Sequence, residues 1–247
     1  MKHLAMFQSG RSVEHPYYLD MRPPRRAKAG PAAHFDRNER YAYFQNRTPM
    51  PSFILASGSS RRIALLRAAG FDFQIEPAVI EESHSEFFSP AELTLFNAFQ
   101  KAVAVADHHP AEFVLAADTI VTLDSEVFGK PLDLHDARRM LARLVGRSHD
   151  VITAIALANA GRKQLISRAV RTRVKFRALS NSAIEAYLKI AEPLDKAGAY
   201  AAQNSPELII EKVTGSFSNV VGLPMEIVIP LLASLGIHPA TGVLSPK

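Results

Sequence analysis

Two regimes of hydrophobic patterning divide the chain near Met50. Before it there is no apolar periodicity: Leu4, Val13 and Leu19 are the only residues of the Val, Ile and Leu set, and Pro23-Pro24-Arg25-Arg26 stands at the centre. Such a segment cannot bury enough apolar surface to offset the entropy of ordering it. Residues 1–50 are therefore read as a disordered basic leader and residues 51–247 as the folded domain. From Phe53 the pattern changes. Phe53 to Ala56 is a short apolar run ending in Ser57-Gly58-Ser59-Ser60, and Arg61 to Ala69 has helical composition closed by Gly70, which predicts strand, loop and helix. Ser89-Pro90-Ala91-Glu92 is a capping box with proline at the first helical position, opening a helix to about Asp107. Phe113 to Ala117 suits a strand covered on both faces, and Ile120 to Leu123 resumes it after an interruption by Asp118-Thr119.

Further on, Asp133 caps a helix to about Val145, and Ser182 with Glu185 makes a second capping box for a helix to about Ala191. His149 to Leu157 and Leu165 to Phe176 flank Asn159-Ala160-Gly161. The second run alternates Val170, Thr172, Val174 and Phe176 with Arg171, Arg173 and Lys175, so a hairpin with one wet face is expected. Leu208 to Val213 adds a strand, and Met225 to Leu235, closed by Gly236, adds the last helix. Five helices and about seven strands in mixed order indicate an α/β fold with a mixed sheet flanked by helices.

Composition narrows the chemistry. With no cysteine in the chain, thiol nucleophiles, thiolate metal sites and disulfides are excluded, and catalysis must come from oxygen and nitrogen groups. The net charge of +5 invites a nucleic-acid reading, but residues 1–50 hold 9 Lys/Arg against 4 Asp/Glu, so the totals of 29 and 24 leave 20 of each beyond them. The folded part is neutral, and no stable nucleic-acid partner is expected of it. Tyr17, Tyr18, Tyr41 and Tyr43 among the leader arginines leave open a contact with RNA or single-stranded DNA by stacking and charge. The leader has no continuous apolar stretch, and Glu14, Asp20, Asp36 and Glu39 argue against a transit peptide, so a cytoplasmic location is expected. Val220 to Ile237 is long enough to raise a membrane question, but it carries Gly222, Pro224, Glu226 and Pro230, and a buried terminal helix is the better reading.

Candidate chemistry gathers at four places. The Ser57-to-Ser60 loop before a helix is an anion site in outline: Ser57 and Ser59 bring hydroxyls, the helix aims N–H groups at the loop, and Arg61 and Arg62 add charge. A serine-rich turn with solvated arginines is the plain alternative. Asp118 follows an apolar strand and is placed at its carboxyl end, where open α/β sheets hold ligands; it coordinates a metal, takes a proton from an attacking water, or caps its own turn. Glu81 and Glu82 offer hard oxygen ligands of the kind magnesium or manganese prefers, or else form a solvated pair. Lys130 is fixed between Gly129 and Pro131, whereas Lys101, mid-helix among apolar residues, reads from composition as a snorkelling lysine. His84, His108, His109, His135, His149 and His238 show no metal-ligand spacing and are read as surface or turn histidines. Neither a G-x-x-x-x-G-K-[ST] loop nor a G-x-G-x-x-G fingerprint occurs.

Taken together, the segments resemble the Maf family of nucleoside triphosphate pyrophosphatases from Phe53 to about Leu235. The matching stretches include Leu55 to Arg62, Glu81-Glu82, Lys101-Ala102, Ala117-Asp118-Thr119, Gly129-Lys130-Pro131, Gly146-Arg147-Ser148-His149, Asp195 to Tyr200, and Gly215-Ser216 through Asn219 to Pro224. The resemblance implies a mixed α/β fold with two lobes around a cleft, and metal-dependent hydrolysis of a nucleoside triphosphate to the monophosphate and pyrophosphate. On it, Asp118 falls on the proton acceptor, Arg62, Lys101 and Lys130 on the triphosphate-binding cations, and Glu82 on a position that helps hold magnesium or manganese. Arg61, Thr119 and Gln203 resemble the combination of the branch acting on dTTP and UTP, with modified pyrimidine nucleotides as further candidates. Ser60 stands where the family usually has proline, and Asn204 where glycine usually follows the glutamine. A homodimer is the expected assembly. Two alternatives stay open at this point: another base preference such as 7-methyl-GTP, and a nucleic-acid-binding or cell-division regulatory protein that uses the basic leader.

Overall fold

The computed structural model describes residues 53–240 except 86, 125 and 204, so the leader expected at residues 1–50 lies outside the described residues. In chain order the elements are β1 (Phe53–Leu55), α1 (Ser60–Ala68), β2 (Phe73–Ile75), α2 (Pro90–Ala106), β3 (Phe113–Leu123), β4 (Glu126–Phe128) and α3 (Leu134–Leu144). There follow β5 (Ser148–Asn159), β6 (Gln164–Phe176), α4 (Asn181–Ala191), β7 (Ile210–Thr214), α5 (Phe217–Val221) and α6 (Met225–Ser234). Three single-turn 3₁₀ helices lie between α4 and β7.

The sheet runs β2-β1-β3-β5-β6-β7, with β4 also paired to β3. β1 is parallel to β2 and to β3, and the β3–β5, β5–β6 and β6–β7 ladders are antiparallel. The sheet is thus mixed and flanked by helices, as the alternation of elements implies. Its two ends bury different cores. At the parallel end, Val114 and Ala116 face Ala98 and Ala102 of α2, while Leu115 and Ala117 face Leu66 of α1 and Val228 of α6. That is the period of two expected of a doubly covered strand. At the other end, Val121, Val151, Val174 and Phe176 pack against α3 and α4 through Leu141, Leu144, Ile184 and Tyr187.

The structure corrects four expectations. Asp118-Thr119 does not interrupt the strand: β3 is continuous because β5 pairs with it throughout, Asp118 opposite Ala154 and Thr119 opposite Thr153. What ends there is the other neighbour, since β1 pairs only as far as Leu115 and pairing with β4 starts only at Val121. Asp118 therefore lies mid-strand, just past the parallel part of the sheet and not at a strand terminus. The cap of α4 is Ser180, whose side chain accepts from Ala183 N–H. Ser182 is already inside the helix, and Glu185 pairs with Arg138 of α3. Leu208 falls in a 3₁₀ turn and β7 starts at Ile210. There are six α-helices among the described residues, because the one-turn α5 is too short to show periodicity. No helix among them is long and apolar enough to cross a membrane.

Candidate active site

On β3 between residues 116 and 120, neither β1 nor β4 pairs, and a cavity of about 1110 Å³ opens along the uncovered strand. Side-chain alternation then sends Asp118 toward α2 and Thr119 toward α1, and each meets a cation there.

Lys101, one face of α2 beyond the capped first turn, donates from Nζ to Asp118 Oδ1 at 2.7 Å and pairs with Glu82 Oε1 at 2.7 Å. Its side chain is only 11% exposed. The snorkelling reading therefore fails: two carboxylates compensate a charge that α2 turns inward. Asp118 is 6% exposed, and its Oδ2 accepts no hydrogen bond from the described residues. It does not cap a turn, since it lies within β3. Burial would raise the Glu82 carboxyl, but the hydrogen bond and charge of Lys101, with Lys130 and His84 behind, hold it below the usual carboxylate range. Glu81 is exposed and lies outside the cavity wall.

Arg62, in the first turn of α1, is held more tightly still. Its Nη1 donates to Ala117 O at 2.9 Å and to Ser57 Oγ at 3.0 Å. Nη2 donates to Thr119 Oγ1 at 3.0 Å, and Nε to Gly222 O at 2.8 Å. The Ala117 carbonyl lies on the side β1 has vacated, so the guanidinium takes the place of a strand neighbour. Gly222, at φ 120° and directly after α5, gives the turn that aims its carbonyl at Nε. Four of the five guanidinium N–H groups are thus committed to protein, which leaves one for a ligand. Burial pulls the Arg62 pKa down to about 10.

Thr119 has little hydrogen-bonding freedom left. Thr153 Oγ1 donates its proton to Asn219 O at 3.0 Å, so in the 2.9 Å contact between the two threonines the Thr119 hydroxyl is the donor. With Arg62 as its donor partner, Thr119 can offer a ligand only an acceptor.

Ser57 Oγ accepts from Ser59 N–H at 3.3 Å, and α1 has neither a side-chain cap nor an acidic residue in its first turn. By contrast Ser89, Asp133, Ser180 and Ser216 cap their helices. Uncapped N–H groups at a helix start favour an anion. Lys130 lines the same cavity from the exposed turn after β4. Arg61 lines it too, tethered by Nη1 to Asp195 Oδ2 at 3.2 Å. Gln203 does not reach it: it lines a second cavity of about 370 Å³ that shares Ser60, Arg61, Asp195 and Lys196 with the first.

Ser57, Ser59, Arg61, Arg62, Glu82, Lys101, Asp118, Thr119 and Lys130 thus surround one cavity. Sequence reasoning missed Asn97, Thr153 and Lys196 as contributors. Lys196 is buried between the two cavities, its ammonium on Glu192 O and Asp195 Oδ1. His149, expected at the surface, is 1% exposed in β5 between Phe176 and Tyr200.

No group of three His, Cys, Asp or Glu side chains among the described residues could enclose a metal ion. Glu82, with one oxygen on Lys101 and the other uncommitted among those residues, suits instead the limited protein ligation of magnesium, which leaves positions for water and phosphate oxygens.

The sequence profile described as Maf-like protein matches residues 52–235. A dTTP/UTP pyrophosphatase of Dictyoglomus thermophilum is 42% identical over 184 residues, 74% of this chain and 95% of its own. One of Myxococcus xanthus is 45% identical over 185 residues, 74% of this chain and 92% of its own. A solved HAM1 protein of Coxiella burnetii, 18% identical, superposes weakly, with a TM-score of 0.37 over 51% of this chain and 73% of that one.

Proposed function

The chain belongs to the Maf-like protein family, and from that premise we propose that it hydrolyses dTTP and UTP to the nucleoside monophosphate and pyrophosphate. The observation that carries the reading is the buried Asp118 carboxylate, held by Lys101 at 2.7 Å in a cavity that Arg61, Arg62 and Lys130 also line. A polyanion needs several fixed cations, and fixed cations beside a carboxylate with one uncommitted oxygen are what water attack on a phosphoanhydride needs.

In this reading the triphosphate lies over the start of α1, against Ser57, Ser59 and the one remaining N–H of Arg62. Lys101 and Lys130 neutralise it from the opposite wall. Asp118 takes the proton from the water that attacks the α–β anhydride, and pyrophosphate leaves into the cluster of cations. Glu82 is the residue that would hold magnesium or manganese, which when bound supplies further neutralisation of the phosphates. Arg61 and Thr119 face the base in the main cavity, and Gln203 reads it from the second cavity, which Arg61 also lines. Thr119, restricted to accepting, suits the N3–H of uracil or thymine, and Gln203 presents both a donor and an acceptor.

Incubation with dTTP or UTP and magnesium tests this. The expected product is pyrophosphate in equimolar amount with the monophosphate. Release of orthophosphate without pyrophosphate overturns the bond assignment, and a stronger turnover of 7-methyl-GTP overturns the base assignment.

A further inference from the structure

On the cavity-facing side of α2, one turn before Lys101, lies Asn97. It is 3% exposed, and its carboxamide is directed entirely at the main chain of one loop residue. Oδ1 accepts from Ser83 N–H at 2.9 Å, and Nδ2 donates to Ser83 O at 3.2 Å. The Ser83 N–H can only donate, which fixes the amide orientation. The side chain thus pairs with Ser83 much as a strand neighbour would. Ser83 follows Glu82, and Glu82 is bound by Lys101. Residues four apart share a helix face, so α2 grips this loop twice, by the backbone at Ser83 and by the carboxylate at Glu82.

The rest of the loop depends on that grip. Ser83 Oγ accepts from Ser85 N–H at 3.3 Å and Ser85 Oγ from Phe87 N–H at 3.3 Å, and the loop belongs to no helix or strand. A buried polar side chain is costly unless bonded, and an apolar residue would suit the neighbouring Leu93 and Ala98. Asn97 stabilises a loop conformation that packing alone does not determine.

We infer that Asn97 is a positioning residue for Glu82: its clamp on Ser83 fixes where the Glu82 carboxylate stands relative to Lys101 and Asp118. The inference rests on the role given to Glu82 in the proposed reaction, but the clamp can be tested without it.

Asn97→Ala removes both bonds, while Asn97→Asp keeps the acceptor for Ser83 N–H and loses the donor to Ser83 O. A supporting shell of this kind is commonly worth about 10- to 100-fold in activity, so kcat/KM for dTTP is expected to fall by that factor in Asn97→Ala and at least as much in Asn97→Asp, whose second carboxylate oxygen faces the Ser83 carbonyl oxygen. In a Glu82→Gln background Asn97→Ala should cost nothing more, because the group it positions is gone. Losses that multiply in the double variant, or single variants with full kcat/KM, overturn the inference. Independently of any turnover, chymotrypsin should cut the Phe87-Phe88 segment faster in Asn97→Ala than in the parent, and equal rates also overturn it. If Asn97→Ala does not fold, Asn97→Asp carries both comparisons. Absence of nucleotide hydrolysis in the parent chain would sink the proposed function, and the proteolysis comparison would still decide on the clamp.

Discussion

Lys101 Nζ lies 2.7 Å from Asp118 Oδ1, and this contact ties the one inward-facing cation of α2 to the carboxylate on the unpaired stretch of β3. It leaves the Asp118 carboxyl oriented and with one oxygen uncommitted among the described residues, which is the geometry a proton acceptor requires. Asp118→Asn keeps the shape of the side chain and an oxygen for Lys101 but cannot take a proton. The expected outcome is a kcat for dTTP lower by about 10²- to 10⁴-fold with KM little changed, since general-base catalysis is worth roughly that much. Initial rates of pyrophosphate release, with thermal unfolding as the folding control, are the check. An undiminished kcat would remove Asp118 from the chemistry.

Arg62 is a strut besides the phosphate contact proposed for it. Arg62→Lys preserves one charge but strands acceptors at Ala117 O, Thr119 Oγ1 and Gly222 O, because an ammonium cannot reproduce the planar fork. A loss of about 2 kcal/mol or more is expected from the buried groups left unpaired, read as a lower denaturation midpoint in urea. If only the nucleotide KM rises and the midpoint stays put, the strut role is wrong.

What the sequence revealed about this site depended on how local each determinant was. The caps at Ser89 and Asp133 were legible because each bonds an amide three residues on. The wet face of β6 was legible because alternation needs no partner to be seen: Thr172 and Val174 are buried, and Arg171 and Arg173 exposed. Asp118 looked like a break because two polar residues cut an apolar run, whereas strand continuity is decided by the register with β5, which begins 30 residues downstream of Asp118. Lys101 misled for the same reason. Helix composition gives a lone lysine to solvent, and its two carboxylates stand 19 residues before it and 17 after. Asn97 carried no local mark at all, since its bonding partner is the backbone of a loop 14 residues earlier.

Thr119 and Gln203 should separate recognition from stability. Gln203 is exposed, so Gln203→Ala is expected to change the relative kcat/KM for UTP, dTTP and CTP while leaving stability within about 0.5 kcal/mol. Thr119→Val affects both properties, because its hydroxyl bonds Arg62 and Thr153. A substrate panel measured beside melting curves distinguishes them. If Gln203→Ala leaves every substrate ratio unchanged, the second cavity takes no part in reading the base.

His149 sets an acid limit on the folded state. Burial between Phe176 and Tyr200 lowers its pKa from about 6.5 to about 4, and its Nδ1 has no partner among the described residues to stabilise an added proton. Between those values the unfolded chain binds a proton that the folded chain does not, so stability falls as pH drops through 6.5 and continues to fall until about 4. At 1.36 kcal/mol per unit the full effect is on the order of 3 kcal/mol. Its upper part, from pH 6.5 to 5, precedes the range where lowered carboxylates such as Glu82 and Asp195 begin to lose their own contribution. His149→Phe removes the titrating group at the cost of a partner for Tyr200 Oη. Urea unfolding at several pH values should therefore show a variant less stable at neutral pH but with a flatter slope between pH 6.5 and 5. Parallel slopes for the two chains would mean that His149 carries no linked proton in that window.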